Sequence, residues 1–221
     1  MCGRFARIVS DRTLREKYRL ERMARLRDGY NIAPMQNIGA VRAAEGGREL
    51  VLLRWGLIPS WSKDDKIANK LTNARAETVA EKPSFRSAFK SRRCIIPASG
   101  FFEWKRESKQ KQPFYIHPRG EELFSFAALW ETWHDPEGEI VESCAIITTE
   151  ANELMQPIHD RMPVILNWSG EEQWLDPETS KEDLRSLLVP FASDQMEAYP
   201  VSTWVNNAKN QGPKCIEPLS A

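Results

Sequence analysis

The apolar residues of this chain come in short runs, each ended by a glycine, a proline or a polar turn, and that punctuation limits the folds open to it. Val51-Leu52-Leu53-Arg54-Trp55 stops at Gly56, and Cys94-Ile95-Ile96 stops at Pro97. Phe114 to His117, Leu123 to Leu129, Cys144 to Thr148 and Val164 to Leu166 are of the same kind. Short runs rich in β-branched and aromatic residues predict strands. Tyr30-Asn31-Ile32-Ala33-Pro34 reads as extended or turn, because a residue before proline avoids helical backbone. Helical periodicity is sparse. One helix is predicted from Asp11 to Arg27, with Leu14, Tyr18 and Leu26 as apolar positions. A short one is expected within Thr78 to Lys90, where Phe85 and Phe89 stand four apart. Ser180-x-x-Asp183 reads as a capping box that opens a helix through Leu188. Many strands and few helices predict an α+β fold with a mostly antiparallel, barrel-like β core and a few peripheral helices. No repeat, low-complexity tract or linker interrupts the 221 residues, so one compact domain, 1–221, is expected.

Several function classes fall away. Mean hydropathy is -0.52, and no apolar run approaches the ~20 residues of a membrane span. Met1-Cys2-Gly3-Arg4 has no apolar signal-peptide core, so the expected compartment is the cytoplasm. Cys2, Cys94, Cys144 and Cys215 include no C-x-x-C pair, and His117, His134 and His159 are scattered. Neither a disulfide framework nor a zinc site is expected. The scattered Cys and His leave no metal expected, and with no glycine-rich phosphate loop present no nucleotide cofactor is expected either.

The net charge is zero, yet residues 1–110 hold 24 Lys and Arg against 12 Asp and Glu, a balance of +12, and residues 111–221 hold 7 against 19, a balance of -12. Two readings stand side by side. The halves attract each other within one fold, or the basic half forms a surface for a polyanion such as nucleic acid. Net neutrality leaves room for a local groove rather than a bulk electrostatic binder.

The most specific chemistry lies at residue 2. Methionine is normally trimmed before a small second residue, and Cys2 would then carry a free α-amine beside its thiol. Such an amine titrates near 7.7–8.0, so part of it is neutral at pH 7. A 1,2-aminothiol condenses with an aldehyde to an imine and closes to a thiazolidine; an internal cysteine, whose nitrogen is an amide, cannot. The other polar candidates are ambiguous singly. Asn73-Ala74-Arg75-Ala76-Glu77-Thr78 fits either a helix cap with solvated charges or a pocket asparagine with a phosphate-binding arginine. Glu103, within Gly100-Phe101-Phe102-Glu103-Trp104, is either an outward residue on a strand or a buried acid with a raised pKa. His159-Asp160-Arg161-Met162-Pro163 sets a histidine beside an acid and a base. Most tryptophans fit a core, and an exposed one among arginines fits a stacking platform for single-stranded bases.

Taken in order, Met1-Cys2-Gly3-Arg4-Phe5, Tyr30 to Pro34, Trp55-Gly56-Leu57-Ile58-Pro59-Ser60-Trp61, Asn73 to Thr78, Gly100 to Lys105 and Ile158 to Pro163 resemble the SRAP family, the SOS response-associated peptidases or abasic-site processing proteins. Val205-Asn206-Asn207-Ala208-Lys209-Asn210 is similar too. The resemblance spans nearly the whole chain. It implies a monomer that senses abasic sites in single-stranded DNA and forms a covalent thiazolidine crosslink through Cys2 after Met1 is removed, with an associated autopeptidase activity. It implies that Cys2, Asn73, Glu103 and His159 are catalytic. Asn73 would hold the sugar and the Cys2 amine, Glu103 would move protons, and His159 would act on the sugar oxygen and the imine. It implies DNA contacts from Arg4, Asn31, Arg75 and Arg161, with Trp61 and Trp104 stacking. It implies no metal, no cofactor, no membrane, and a bacterial cytosol or nucleoid setting. The competing reading is a cysteine-type peptidase acting on other proteins through Cys2, His159 and Glu103.

Overall fold

Strands dominate, as the punctuation predicts, but they outrun it: the strand expected to stop at Pro97 continues through it to Ala98, where both residues still pair with a neighbour, and Phe124–His134 and Ile140–Glu150 have 11 residues each. A computed structural model describes residues 2–26, 29–107 and 110–219. Its strands are β1 (Phe5–Arg7), β2 (Leu20–Met23), β3 (Gly29–Ile32), β4 (Asn37–Ala44), β5 (Gly47–Trp55), β6 (Asn73–Arg75), β7 (Arg93–Ala98), β8 (Gly100–Glu107), β9 (Gln110–Pro118), β10 (Phe124–His134), β11 (Ile140–Glu150), β12 (Arg161–Pro163), β13 (Ile165–Leu166) and β14 (Met196–Pro200). The α-helices are α1 (Asp11–Tyr18), α2 (Arg86–Ser91), α3 (Trp168–Leu175) and α4 (Lys181–Ser186).

Strands β11, β10, β7, β4 and β5 pair in sequence, and a parallel contact of β5 with β11 closes them into a five-stranded barrel. A second sheet runs β14-β9-β8-β1-β3. Alternation along the barrel strands sorts their side chains onto two faces. Trp55, Ile96, Phe126 and Ile146 join Phe5, Phe101 and Ile116 of the second sheet. Ile95, Leu129 and Ile147 join Leu14, Tyr18, Phe89, Trp174 and Leu184 of the helices. This is the α+β domain with a barrel core and few helices that the sequence predicts.

The helix expected over Asp11 to Arg27 is corrected. It ends at Tyr18, because Arg19 turns left-handed (φ 51°, ψ 51°) and donates its N–H to the Arg15 carbonyl. Leu20–Met23 becomes a strand parallel to β5, and Arg27 lies outside the described residues. The short helix expected within Thr78 to Lys90 is α2, which starts at Arg86 after a run of turns and ends at Ser91. Ser180 caps α4 as read: its Oγ accepts from the Asp183 N–H at 3.1 Å and donates to the Asp183 carboxylate at 2.7 Å.

Arg93, which no periodicity singles out, ties the helices to the barrel. Its buried guanidinium donates to the carbonyls of Phe89, Lys90, Trp174 and Asp176 at 2.7–3.1 Å. Those are the C-terminal ends of α2 and α3, where helix carbonyls have no partner of their own.

Gly100 is fixed by close approach. A Cβ there would lie 2.1 Å from the Tyr115 ring, and that ring is held between Phe102 and Tyr199. Gly100→Ala is expected to cost about 1–3 kcal/mol by overpacking. A thermal melt checks it; an unchanged Tm would mean that Tyr115 moves aside freely.

Candidate active site around Cys2

The strand pattern brings Cys2 and Glu103 together. In the β1–β8 pair Phe5 faces Phe101 and Ala6 faces Gly100. The same register carried outward sets Gly3 opposite Glu103. On β8, Phe101 and Glu103 share a face by alternation. Phe101 belongs to the apolar cluster that also holds Cys2, so Glu103 points toward residue 2. It is 4% exposed. Burial pushes its carboxyl up to about 7, the Asp160 carboxylate adds to this, and the Trp104 backbone N–H acts against it. A carboxyl at that value exchanges protons readily at neutral pH.

Cys2 is fully buried. Burial pushes its thiol well up, Glu103 adds to the shift, and the Arg4 backbone N–H opposes it. Residue 2 is therefore held as a thiol rather than a thiolate.

Asn73 comes from β6, which lies parallel to β11 with Asn73 beside Ile146. Its Nδ2 donates to the Cys2 carbonyl at 2.9 Å and to Thr72 Oγ1 at 3.1 Å. Its Oδ1 is buried with no hydrogen-bond partner among the described residues. Along β6, Ala74 turns into the core while Asn73 and Arg75 share the other face. Arg75 is exposed there.

β12 pairs with the other edge of β11, placing Arg161 beside Glu150. Arg161 bolts the two edges together. Its guanidinium pairs with both oxygens of Glu77 at 2.5 and 3.0 Å and donates to the Thr148 carbonyl at 2.7 Å. That carbonyl also accepts from the Ala76 N–H. The Arg161 hydrogen bond holds the Glu77 carboxyl below its usual range. The Arg161 backbone N–H donates to His159 Nδ1 at 2.9 Å, and Asp160 Oδ1 lies 2.9 Å from the same nitrogen. In the neutral ring Nδ1 accepts and Nε2 carries the proton. Once the ring is protonated, Asp160 becomes the partner of Nδ1.

Arg4 and Asn31 meet in a different network. Arg4 Nη1 donates to Asn31 Oδ1 at 2.6 Å and to the Val205 carbonyl at 2.9 Å. Asn31 is fully buried, and its Nδ2 faces the carbonyls of Val205, Asn207 and Asn210 at 3.0–3.1 Å. Trp104 Nε1 donates to Asn206 Oδ1 at 2.7 Å, with the Arg4 guanidinium 5.7 Å from its ring. These contacts fix the Val205–Asn210 segment against β1, β3 and β8. Trp61 is 58% exposed in the turn after β5.

The structure thus brings Cys2, Asn73 and Glu103 together and links His159, through Arg161, to Glu77 just beyond Asn73's strand. Sequence reading missed the work of Glu77 and the Thr148 carbonyl. The signal for Glu77 was available in its run with Asn73, but its partner lies 84 positions away. Among the described residues no group of three or more His, Cys, Asp or Glu is placed to hold a metal, and no helix is long and apolar enough to cross a membrane.

Residues 1–208 match the family model described as SOS response associated peptidase (SRAP). The chain is similar to the abasic site processing protein YoqW of Bacillus subtilis (strain 168), 48% identical over 98% of this chain and 99% of that one. It is similar also to the abasic site processing protein HMCES of Xenopus tropicalis, 34% identical over 98% of this chain and 78% of that protein. A crystal structure of a Bacteroides thetaiotaomicron protein, 31% identical, superposes with a TM-score of 0.92 over 99% of this chain and 100% of the other.

Proposed function

Since the chain belongs to the SOS response-associated peptidase (SRAP) family, we propose that it processes abasic sites, capturing them covalently in single-stranded DNA through Cys2. The observation that carries this reading is the grip of Asn73 on the Cys2 carbonyl, beside a carboxyl tuned to about 7.

Removal of Met1, by a host aminopeptidase or by the protein itself, leaves the Cys2 α-amine. The ring-opened abasic sugar offers an aldehyde at C1′. The amine adds to that carbon, and water leaves with a proton from Glu103 to give the imine. Sγ then adds to the imine carbon and its proton passes to nitrogen, closing the thiazolidine. One water is lost overall. A protonated thiol suits this order, with the amine attacking first and sulfur second. The buried Asn73 Oδ1 is an acceptor for the attacking N–H. Before that, as the closed sugar opens, His159 protonates the ring oxygen while Glu103 takes the proton of the C1′ hydroxyl, which it later gives to the departing water. Holding amine and aldehyde together supplies a high effective molarity against a minor open form.

Arg75 is the phosphate contact best placed by exposure. Trp61 is exposed for base stacking, and Trp104 lies at the site's edge. Arg4, Asn31 and Arg161 act chiefly by holding the frame, since protein acceptors already engage them. The protein works as a monomer in the compartment that holds DNA, the bacterial cytosol and nucleoid, with no cofactor.

A peptidase acting on other proteins would need a Cys2 thiolate, and burial opposes one. A denaturing gel with a single-stranded oligonucleotide carrying one abasic site tests the proposal. Wild type gives a slow band that Cys2→Ala lacks. An equally strong band from Cys2→Ala would overturn the reading, and cleavage of a DNA-free peptide would favour the peptidase.

A further inference from the structure

Away from Cys2, a depression of about 360 Å³ opens between α2 and α4. Its apolar floor includes Phe89 and Leu184, only 2% and 3% exposed. Arg86, Lys90 and Lys181 stand exposed around it. No ion pair joins any of the three to an acid among the described residues, and no acidic side chain lines the depression. On α1, by contrast, Arg12 pairs with Glu16 one turn on, at 2.7 Å. On α2 the same spacing holds two cations, Arg86 and Lys90, an arrangement that destabilises a helix on its own. Lys181 adds a third from a different element.

We propose that this depression is a docking site for a short acidic peptide segment of another protein, with a bulky apolar side chain seated on Phe89 and Leu184 and its carboxylates on Arg86, Lys90 and Lys181. The volume suits one large side chain with its flanking backbone rather than an extended surface. A nucleic-acid strand fits less well, because stacking of bases needs an exposed aromatic face and Phe89 is buried. The site lies on the turn that leads from Glu77 to α2, with Ala80 in its wall.

The test is fluorescence anisotropy with the full chain and a fluorescein-labelled peptide, Asp-Glu-Asp-Asp-Leu-Phe. Saturable binding is expected, weakening with salt. The double charge reversal Lys90→Glu with Lys181→Glu is expected to weaken it by about tenfold or more. A peptide ending Ser-Ser is expected to lose most of the affinity, and an oligothymidylate of equal charge to fail as a competitor. The double variant keeps its melting temperature and its capture of abasic DNA, so a fault in the peptide site and a fault in the Cys2 chemistry read out separately. No saturable binding, equal binding by the double variant, or full displacement by the oligothymidylate would each overturn the proposal.

Discussion

Glu103→Gln gives a protein that is more stable at pH 8 and far slower at capturing abasic DNA. The carboxyl titrates at about 7 in the fold against 4.5 ordinarily. Its folded pKa is raised, so between those values the native state binds the extra proton. Below pH 4.5 the group is neutral in both states and burial costs nothing through it. As the pH climbs through 7, the folded protein must carry a buried charge, and stability falls by about 3 kcal/mol. The amide removes that cost. The gain in Tm at pH 8 should be roughly 10 °C for a chain of this size, shrinking to none near pH 4.5. Melts of both proteins at the two pH values check it, and an equal shift at both would contradict the assignment. The same substitution removes the proton donor and acceptor, which should slow capture by about 10²–10⁴-fold.

Arg93→Met is expected to be the most damaging single change away from the site. Methionine keeps much of the volume but makes none of the four hydrogen bonds. The carbonyls of Phe89, Lys90, Trp174 and Asp176 lose a charged donor together, and an unsatisfied buried acceptor costs about 1–3 kcal/mol. Even with water replacing some of the partners, a loss of about 4 kcal/mol is expected, a large share of the ordinary 5–15 kcal/mol. Denaturant titration reads it directly. Arg93→Lys, reaching fewer of the four, should fall between. A midpoint unchanged in both variants would show that α2 and α3 hold to the barrel without this clamp.

Much of the fold was legible because runs rich in β-branched and aromatic residues, one stopped at Gly56, leave few alternatives to strands, although Pro97 did not end its strand. What misled was Leu20 to Met23. Its charged, helix-compatible residues continue the pattern of α1, and only the left-handed turn at Arg19 and a partner in β5 make it a strand. Tertiary pairing overrides local propensity there. At the site, Cys2 stood out in the sequence only as a potential 1,2-aminothiol, since only an N-terminal cysteine offers amine and thiol on adjacent carbons, and the ordered motifs gave it its weight. Glu103 was ambiguous, because strand alternation says that it faces opposite to Phe102 but not which side is buried. Arg161 and Asn31 read as DNA contacts in a linear motif. Their engagement by Glu77 and by the Val205–Asn210 segment is set by contacts 84 and 174 to 179 positions apart, which no local pattern encodes.

The intact mass of the protein–DNA adduct tests the central claim most directly. The account predicts the mass of the chain without Met1, plus the abasic oligonucleotide, less one water, stable to denaturation. An adduct that retains Met1, or one whose mass shows no water lost, would place the bond on some atom other than the Cys2 amine and contradict the mechanism.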